Sequence, residues 1–185
     1  MLALDQPVEY RALFEPEAPG AKPTSYASLS PRLGSLSDGE VVVETAYTRA
    51  TGHEPLILPG MTPTTVDVPI VAAAANAGFT AELAGGGQVT EAIFWARMDE
   101  LRQALDPGKE VVFNALFLDP WLWDLHLGKK SLVQKARRAG YPICGVTISA
   151  GVPELDQAVQ LLDELHGLGM WLNAFKPGTV GQIKR

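Results

Sequence analysis

From residue 56 onward, short apolar runs alternate with longer segments whose apolar residues recur at near-helical spacing. Short β-branched or aromatic runs predict strands, and the longer periodic segments predict helices that end at Gly or Pro. The predicted strands are Leu56–Pro59, Phe79–Ala84, Glu110–Leu118, Ile143–Ser149 and Met170–Phe175. The predicted helices are Thr65–Ala77, Val89–Leu105, Lys129–Ala139 and Pro153–Leu168.

This alternation predicts an α/β fold with a parallel sheet and helices outside it. A doubly wound dinucleotide-binding sheet should carry a G-x-G-x-x-G turn after its first strand, whereas the chain has Gly60-Met61-Thr62-Pro63 there. A (β/α)8 TIM barrel, which places its chemistry at the carboxyl ends of several strands, fits better. A complete barrel needs about 250 residues. We therefore expect a partial barrel of about five βα units, and a chain that is a piece of a longer polypeptide.

The first 40 residues or so differ from the rest because they are rich in Pro, Gly and Ser. This composition predicts an irregular or extended segment, either a linker or a wrap on a neighbouring surface. Glu40–Glu44 is predicted to form one short strand, and Tyr47–His53 shows no clear structure. The domain prediction is therefore a linker or connection over residues 1–50 and the barrel segment over residues 51–185.

Composition narrows the class of protein. The net charge is −6 and the sequence pI is about 5.0, which argues against nucleic acid or an anionic membrane as the main partner. No apolar run approaches a membrane span, and the N-terminus does not resemble a secretory signal. A single cysteine, Cys144, cannot form an internal disulfide, and the histidines show no metal-ligand spacing. We expect a soluble, cytoplasmic protein without a metal site, with His53, His126 and His166 structural or solvent-facing.

Polar or small residues stand at the end of each predicted strand. Each is open to a ligand-binding and a structural interpretation: the first turn is either a phosphate or cofactor contact or an ordinary βα turn, and the glycine run is either a ligand approach or a flexible connection. Trp121 and Trp123 are predicted to lie in an apolar loop after the third strand. Glu82 interrupts an apolar strand and is predicted to anchor a loop rather than to act as a catalytic acid. The strand-end candidates are Gly60, Met61, Thr62, Gly85, Gly86, Gly87, Asn114, Thr147 and Lys176.

Four strings resemble the enoyl reductase domain of type I fatty acid synthases, in the fungal and actinobacterial (mycobacterial-like) form. They are LPGMTPTTV (58–66), NAGFTAELAGGG (76–87), YPICGVTISAGVP (141–153) and AFKPGTV (174–180). The resemblance covers about residues 50–185 and implies the N-terminal half of a (β/α)8 barrel that binds FMN. It implies that NADPH reduces the flavin, which reduces an enoyl thioester on acyl carrier protein. It also implies that Gly60, Met61 and Thr62 lie along the flavin ring, that Gly85, Gly86 and Gly87 border its cavity, and that Asn114, Thr147 and Lys176 contact it.

The resemblance also implies what lies beyond residue 185: the catalytic acid and the loops that hold the FMN phosphate. The chain alone is therefore expected to be inactive and to bind FMN poorly. Its expected partners are the other synthase domains, acyl carrier protein and further copies in a homo-oligomer, for which the family suggests a hexamer. Two alternatives remain open, namely a nitronate monooxygenase-like flavoprotein and a non-catalytic structural or interface fragment.

Overall fold

The computed structural model describes residues 30–35 and 41–183. The chain divides into two compact units, Met1–Leu56 and Ile57–Arg185, and each is treated by itself. In the described residues, no helix is long and apolar enough to cross a membrane.

The described part of the first unit is a hairpin followed by a short helix. Strands β1 (Arg32–Ser35) and β2 (Val41–Glu44) pair antiparallel, and helix α1 (Ala46–Thr51) follows. A reciprocal capping box between Thr45 and Thr48 begins α1, and Gly52 ends it in the left-handed conformation.

One prediction for this region is wrong where the structure describes it, namely the absence of clear structure at Tyr47–His53. The segment predicted to be irregular or extended contains β1, a four-residue strand that is stabilised by pairing with β2. Tyr47–His53 is largely helical because the threonine caps supply the hydrogen bonds that a short helix needs. The strand predicted at Glu40–Glu44 is confirmed as β2, whereas residues 1–29 and 36–40 of the predicted linker lie outside the described residues.

The second unit alternates strands and helices as the sequence predicts, with shifted ends. Its strands are β3 (Ile57–Leu58), β4 (Thr80–Ala84), β5 (Val111–Leu116), β6 (Ile143–Ser149) and β7 (Trp171–Phe175). Its helices are α2 (Val68–Asn76), α3 (Glu91–Ala104), α4 (Pro120–His126), α5 (Leu132–Arg138), α6 (Leu155–Gly167) and α7 (Val180–Ile183).

Helix α4 corrects the prediction of an apolar loop around Trp121 and Trp123. Asp119 caps the helix by accepting a hydrogen bond from the Leu122 amide at 3.0 Å, and Pro120 occupies the first helical position. Leu122 and Leu125 are buried on the inner face of α4, whereas Trp121 is 63% exposed on its other side.

The five strands of the second unit are all parallel and lie in the order β3-β4-β5-β6-β7. A doubly wound sheet reverses its strand order at a switch point, and this sequential order has none. The sheet curls into a half-barrel, which confirms the α/β prediction and is compatible with a partial βα barrel.

Side-chain alternation along the strands gives the sheet one apolar and one polar face. Leu83, Phe113 and Ile148 lie on the face that joins the helices in the main hydrophobic core. Glu82, Asn114 and Thr147 stand at the alternate positions and are buried on the other face. The alternation therefore collects polar side chains from neighbouring strands on the inner side of the curl.

Candidate functional site

Glu82, on β4, is the centre of a polar cluster on the inner face of the sheet, and its side chain is fully buried. Its Oε1 atom accepts hydrogen bonds from the Thr147 hydroxyl at 2.6 Å and from the Asn173 amide at 3.0 Å. The Asn173 amide also donates to Thr147 Oγ1 at 3.1 Å. These contacts join β4 to β6 and β7, two and three positions away along the sheet.

The second carboxylate oxygen of Glu82 accepts three further hydrogen bonds. The Asn114 amide donates to Oε2 at 2.7 Å and the Gly60 backbone N–H donates at 2.6 Å. Lys176 Nζ, which follows the end of β7, lies 2.9 Å from the same oxygen and forms an ion pair with it. One carboxylate thus connects the loop after β3, strands β5, β6 and β7, and the loop after β7.

The donors around Glu82 decide its charge. Burial by itself raises the pKa of Glu82, because a low-dielectric surrounding disfavours the carboxylate. The hydrogen bonds from Thr147, Lys176, Gly60 and Asn114 together outweigh burial and hold the pKa below its ordinary value. Glu82 is therefore ionised at neutral pH, which supports the prediction that it anchors a loop and makes it a poor proton donor.

Strand register explains why Asn114 and Thr147 meet at this carboxylate. Asn114 is opposite Ala84 on one side and opposite Thr147 on the other. The Ser149 hydroxyl donates to Asn114 Oδ1 at 2.8 Å, which leaves the Asn114 amide group for Glu82. Both ends of the Asn114 side chain are paired, as a buried amide requires.

The turn that begins at Gly60 is held by hydrogen bonds within the protein. The Met61 N–H donates to Thr65 Oγ1 at 2.7 Å, and the Ala84 N–H donates to the Thr65 carbonyl at 2.9 Å. The side chains of Met61 and Thr62 are exposed. A ligand at this turn would therefore meet those side chains, since Glu82 and Thr65 already engage the Gly60 and Met61 N–H groups.

The glycines of the site allow two loops to touch each other. A Cβ atom on Gly60 would lie 2.4 Å from Asn114 Cβ. Gly85–Gly87 forms a single 3-10 turn, in which a Cβ on Gly86 would lie 2.3 Å from Thr62 Oγ1 and one on Gly87 would lie 2.4 Å from Val66 Cβ. A side chain at any of these positions would force a neighbour to move, so close packing between the turns accounts for these glycines.

A second buried group, built from Gln88 and His126, supports the glycine turn. Gln88 Nε2 donates to the carbonyls of Val66 at 2.9 Å and Ala84 at 3.2 Å, and His126 Nε2 lies 2.9 Å from the Gln88 carbonyl. Burial lowers the pKa of His126 to about 4, against smaller opposing effects of the Gln88 carbonyl and Asp119. His126 is therefore neutral at physiological pH and donates its Nε2–H, which agrees with the prediction of a structural histidine.

Lys176 is the charged group of the cluster that solvent reaches, because 39% of its side chain is exposed. An ammonium group has three N–H bonds, and the contact with Glu82 uses one of them. The others remain for water or for an electron-rich ligand. Among the described residues, no group of three or more His, Cys, Asp and Glu is arranged to hold a metal ion.

The structure brings four of the predicted site residues together at one carboxylate: Gly60, Asn114, Thr147 and Lys176. It places Gly85 and Gly86 in the adjacent turn and exposes Met61 and Thr62 on the loop beside it. Sequence reasoning missed Asn173 and Ser149. An amide within the apolar run of β7 is the same signal that identified Asn114, and it would have identified Asn173.

Comparison with known proteins shows that the chain is similar to a segment of fungal fatty acid synthases. No model of a known protein family matches it. It is 34% identical over 177 residues to fatty acid synthase subunit beta of Saccharomyces cerevisiae, which covers 94% of the chain and 8% of that relative. It is 37% identical over 156 residues to the subunit of the same name in Schizosaccharomyces pombe, covering 83% of the chain and 7% of the relative. Fungal fatty acid synthase β subunits are thus homologues of this chain, which spans less than one-tenth of their length.

Proposed function

We propose that this chain is part of a fatty acid synthase and forms the first βα units of an enoyl reductase TIM barrel. The proposed reaction is the reduction of an enoyl thioester on acyl carrier protein, with NADPH as reductant and FMN as cofactor. The observation that carries the proposal is the position of Lys176: it stands at a strand end of the half-barrel, half exposed, while a buried carboxylate holds its ammonium group. Similarity to fatty acid synthase β subunits supports the part of the proposal that assigns the chain to a fatty acid synthase.

The residues present suit the ring portion of FMN. Lys176 offers N–H donors and positive charge to the electron-rich edge of a flavin ring, which is how proteins tune such cofactors. Met61 and Thr62 are exposed on the loop that packs against the glycine turn, and they supply an apolar contact and a hydroxyl. Bound FMN would supply hydride transfer. The chain's own role in the proposal is to orient the ring and to keep Lys176 in place.

Two surfaces of the half-barrel support the presence of further βα units. Within the described residues, β3 and β7 form the two edges of the sheet, and an edge strand presents unpaired N–H and C=O groups that can pair with a further strand. Leu155, Val159 and Leu162 recur at helical spacing along α6 and are exposed by 74%, 47% and 37%. A neighbouring strand on β7 and a helix beside α6 would cover both features, as the proposed barrel requires. The other synthase domains and further copies of the subunit are the proposed partners.

One observation favours a second candidate, a non-catalytic structural segment. Gly60, Asn114 and Thr147 all direct hydrogen bonds to Glu82, so the inner cluster is satisfied without a ligand. A buried network of this kind joins five strands and would stabilise an assembly element equally well.

The experiment that separates the candidates is anaerobic NADPH oxidation by the natural polypeptide that carries this chain, with an enoyl thioester as substrate. We expect FMN-dependent turnover, reduced at least about tenfold by Lys176→Met through loss of a charged hydrogen bond. Lys135→Met, at an exposed position on α5, is the matched control and should retain the activity. In a parallel aerobic assay, O2-dependent oxidation of a nitroalkane without enoyl reduction would indicate the nitronate monooxygenase alternative. Absence of both activities would favour the structural segment.

A further inference from the structure

Glu82 does not itself reach the ligand in the function proposed above, yet its carboxylate contacts the loop after β3, strands β5, β6 and β7, and the residue after β7. We infer that Glu82 is a positioning residue for the cofactor: its carboxylate holds the Lys176 ammonium group in the orientation that meets FMN. This inference rests on the proposed function for the identity of the ligand. The contact between Glu82 and Lys176 rests on the geometry alone.

Only a carboxylate satisfies the hydrogen-bond pattern at this position. Glu82 accepts five hydrogen bonds, two at Oε1 and three at Oε2, and all of its partners are donors. A glutamine would replace one of the two oxygens by an NH2 group, which cannot accept a hydrogen bond. At the Oε1 position this group would face the Asn173 amide donor, and at the Oε2 position it would face three N–H donors. The negative charge also offsets the cost of placing the Lys176 ammonium group at the edge of a buried cluster.

Hydrogen bonds fix the backbone of Lys176 in addition to its ammonium group. Its N–H donates to the Ile148 carbonyl at 2.7 Å, and its carbonyl accepts from the Gly151 N–H at 3.3 Å. A lysine side chain has four rotatable carbon bonds, so a fixed backbone alone leaves its ammonium group free to move. The ion pair with Glu82 removes that freedom before a ligand arrives, and such preorganisation increases affinity.

The first test measures FMN affinity of the natural polypeptide by equilibrium dialysis for wild type, Glu82→Gln, Lys176→Met and the double variant. We expect each single variant to bind FMN about 10-fold to 100-fold more weakly, as for loss of a charged hydrogen bond. The double variant should bind no more weakly than the weaker single variant, because both changes remove the same interaction. Lys135→Met should bind as wild type does. Additive losses, or an unchanged affinity in Glu82→Gln, would overturn the inference.

The second test needs no cofactor. Acetylation of lysine amines is followed residue by residue by mass spectrometry, with the rate at Lys135 as the internal reference. We expect Lys176 to react several-fold faster in Glu82→Gln, because its amine no longer pairs with a carboxylate. Glu82→Asp keeps the charge but withdraws it by one methylene, so it gives the same result if Glu82→Gln fails to fold.

The two tests distinguish the failure of the inference from the failure of the proposed function. If wild type binds no FMN, the proposed function is refuted, and the acetylation rates still decide whether Glu82 holds Lys176. If wild type binds FMN and a folded Glu82 variant leaves either the FMN affinity or the Lys176 acetylation rate unchanged, Glu82 is a structural residue and the inference is refuted.

Discussion

Acidification from about pH 7 to about pH 5 should destabilise the half-barrel through the buried histidine of α4. His126 is fully buried, and its ring packs against Phe94 and Phe113 while Nε2–H donates to the Gln88 carbonyl. Burial lowers the pKa of His126 from 6.5 to about 4. Between these two values the unfolded chain binds a proton at this residue and the folded chain does not, so stability falls as the pH falls.

The size of the effect follows from the two pKa values of His126. Proton linkage gives a loss of about 2 kcal/mol in unfolding free energy between about pH 7 and about pH 5 from this one residue. The loss begins near the unfolded pKa and levels off below about 4, where the folded protein also binds the proton. An effect of this size is a large fraction of a typical domain's total stability.

Urea unfolding at several pH values, compared between wild type and His126→Gln, measures this effect. Glutamine does not titrate, and its side-chain NH2 is a hydrogen-bond donor, as the Nε2–H of the neutral histidine is. The other titrating groups are common to both proteins, so their contributions cancel in the comparison. We expect the variant to lose about 2 kcal/mol less than wild type over this range. Parallel pH dependences would show that His126 titrates normally and that the account of its burial is wrong.

Three further predictions concern the cluster around Glu82 and the glycine that contacts it. Thr147→Val removes one donor from the Glu82 carboxylate and should cost about 1–3 kcal/mol in urea unfolding at neutral pH. Because the folded pKa of Glu82 is lowered, its contribution is present above the ordinary value of 4.5 and disappears as the pH falls through the folded value. The Thr147→Val penalty should therefore shrink in acid, and a penalty that stays constant would contradict an ionised Glu82. Gly60→Ala should cost about 1–3 kcal/mol, since the new methyl group would overlap Asn114. Gly167→Ala, in a helix with open space around the Cβ position, should instead stabilise by about 0.5–1 kcal/mol, and equal effects of the two changes would refute the packing argument.

Hydrophobic periodicity predicts the strands and helices of the second unit well because each element has one strongly apolar face. Ile143–Ser149 matches the predicted strand at both ends, and the other elements differ mainly where capping sets the boundary. The elements that periodicity missed are short. Strand β1 depends on pairing with β2. Helices α1 and α4 depend on the cap residues Thr45 and Asp119. A cap involves only one or two residues, so it leaves no periodic pattern in the sequence.

The candidate residues are predictable from polar interruptions of apolar strands, but their positions are only partly so. Lys176 follows the end of β7 as predicted, whereas Asn114 and Thr147 lie inside β5 and β6 rather than at their ends. They reach the site because their side chains are on the inner face of the sheet. The sequence pattern does not predict which hydrogen-bond partner each of these side chains has. The convergence of five donors on Glu82 depends on the curl of the sheet, which brings Asn173 and Lys176 back to the second strand.

We propose that this chain is a flavin-binding part of a fatty acid synthase. The most direct test is the intact mass and visible absorption spectrum of the native protein that carries the sequence, purified from its own source. We expect a polypeptide far larger than 20 kDa, with a flavin absorption band and stoichiometric FMN on extraction. A free protein of 19.8 kDa with no flavin band would contradict it, and the enoyl reductase proposal would then be withdrawn.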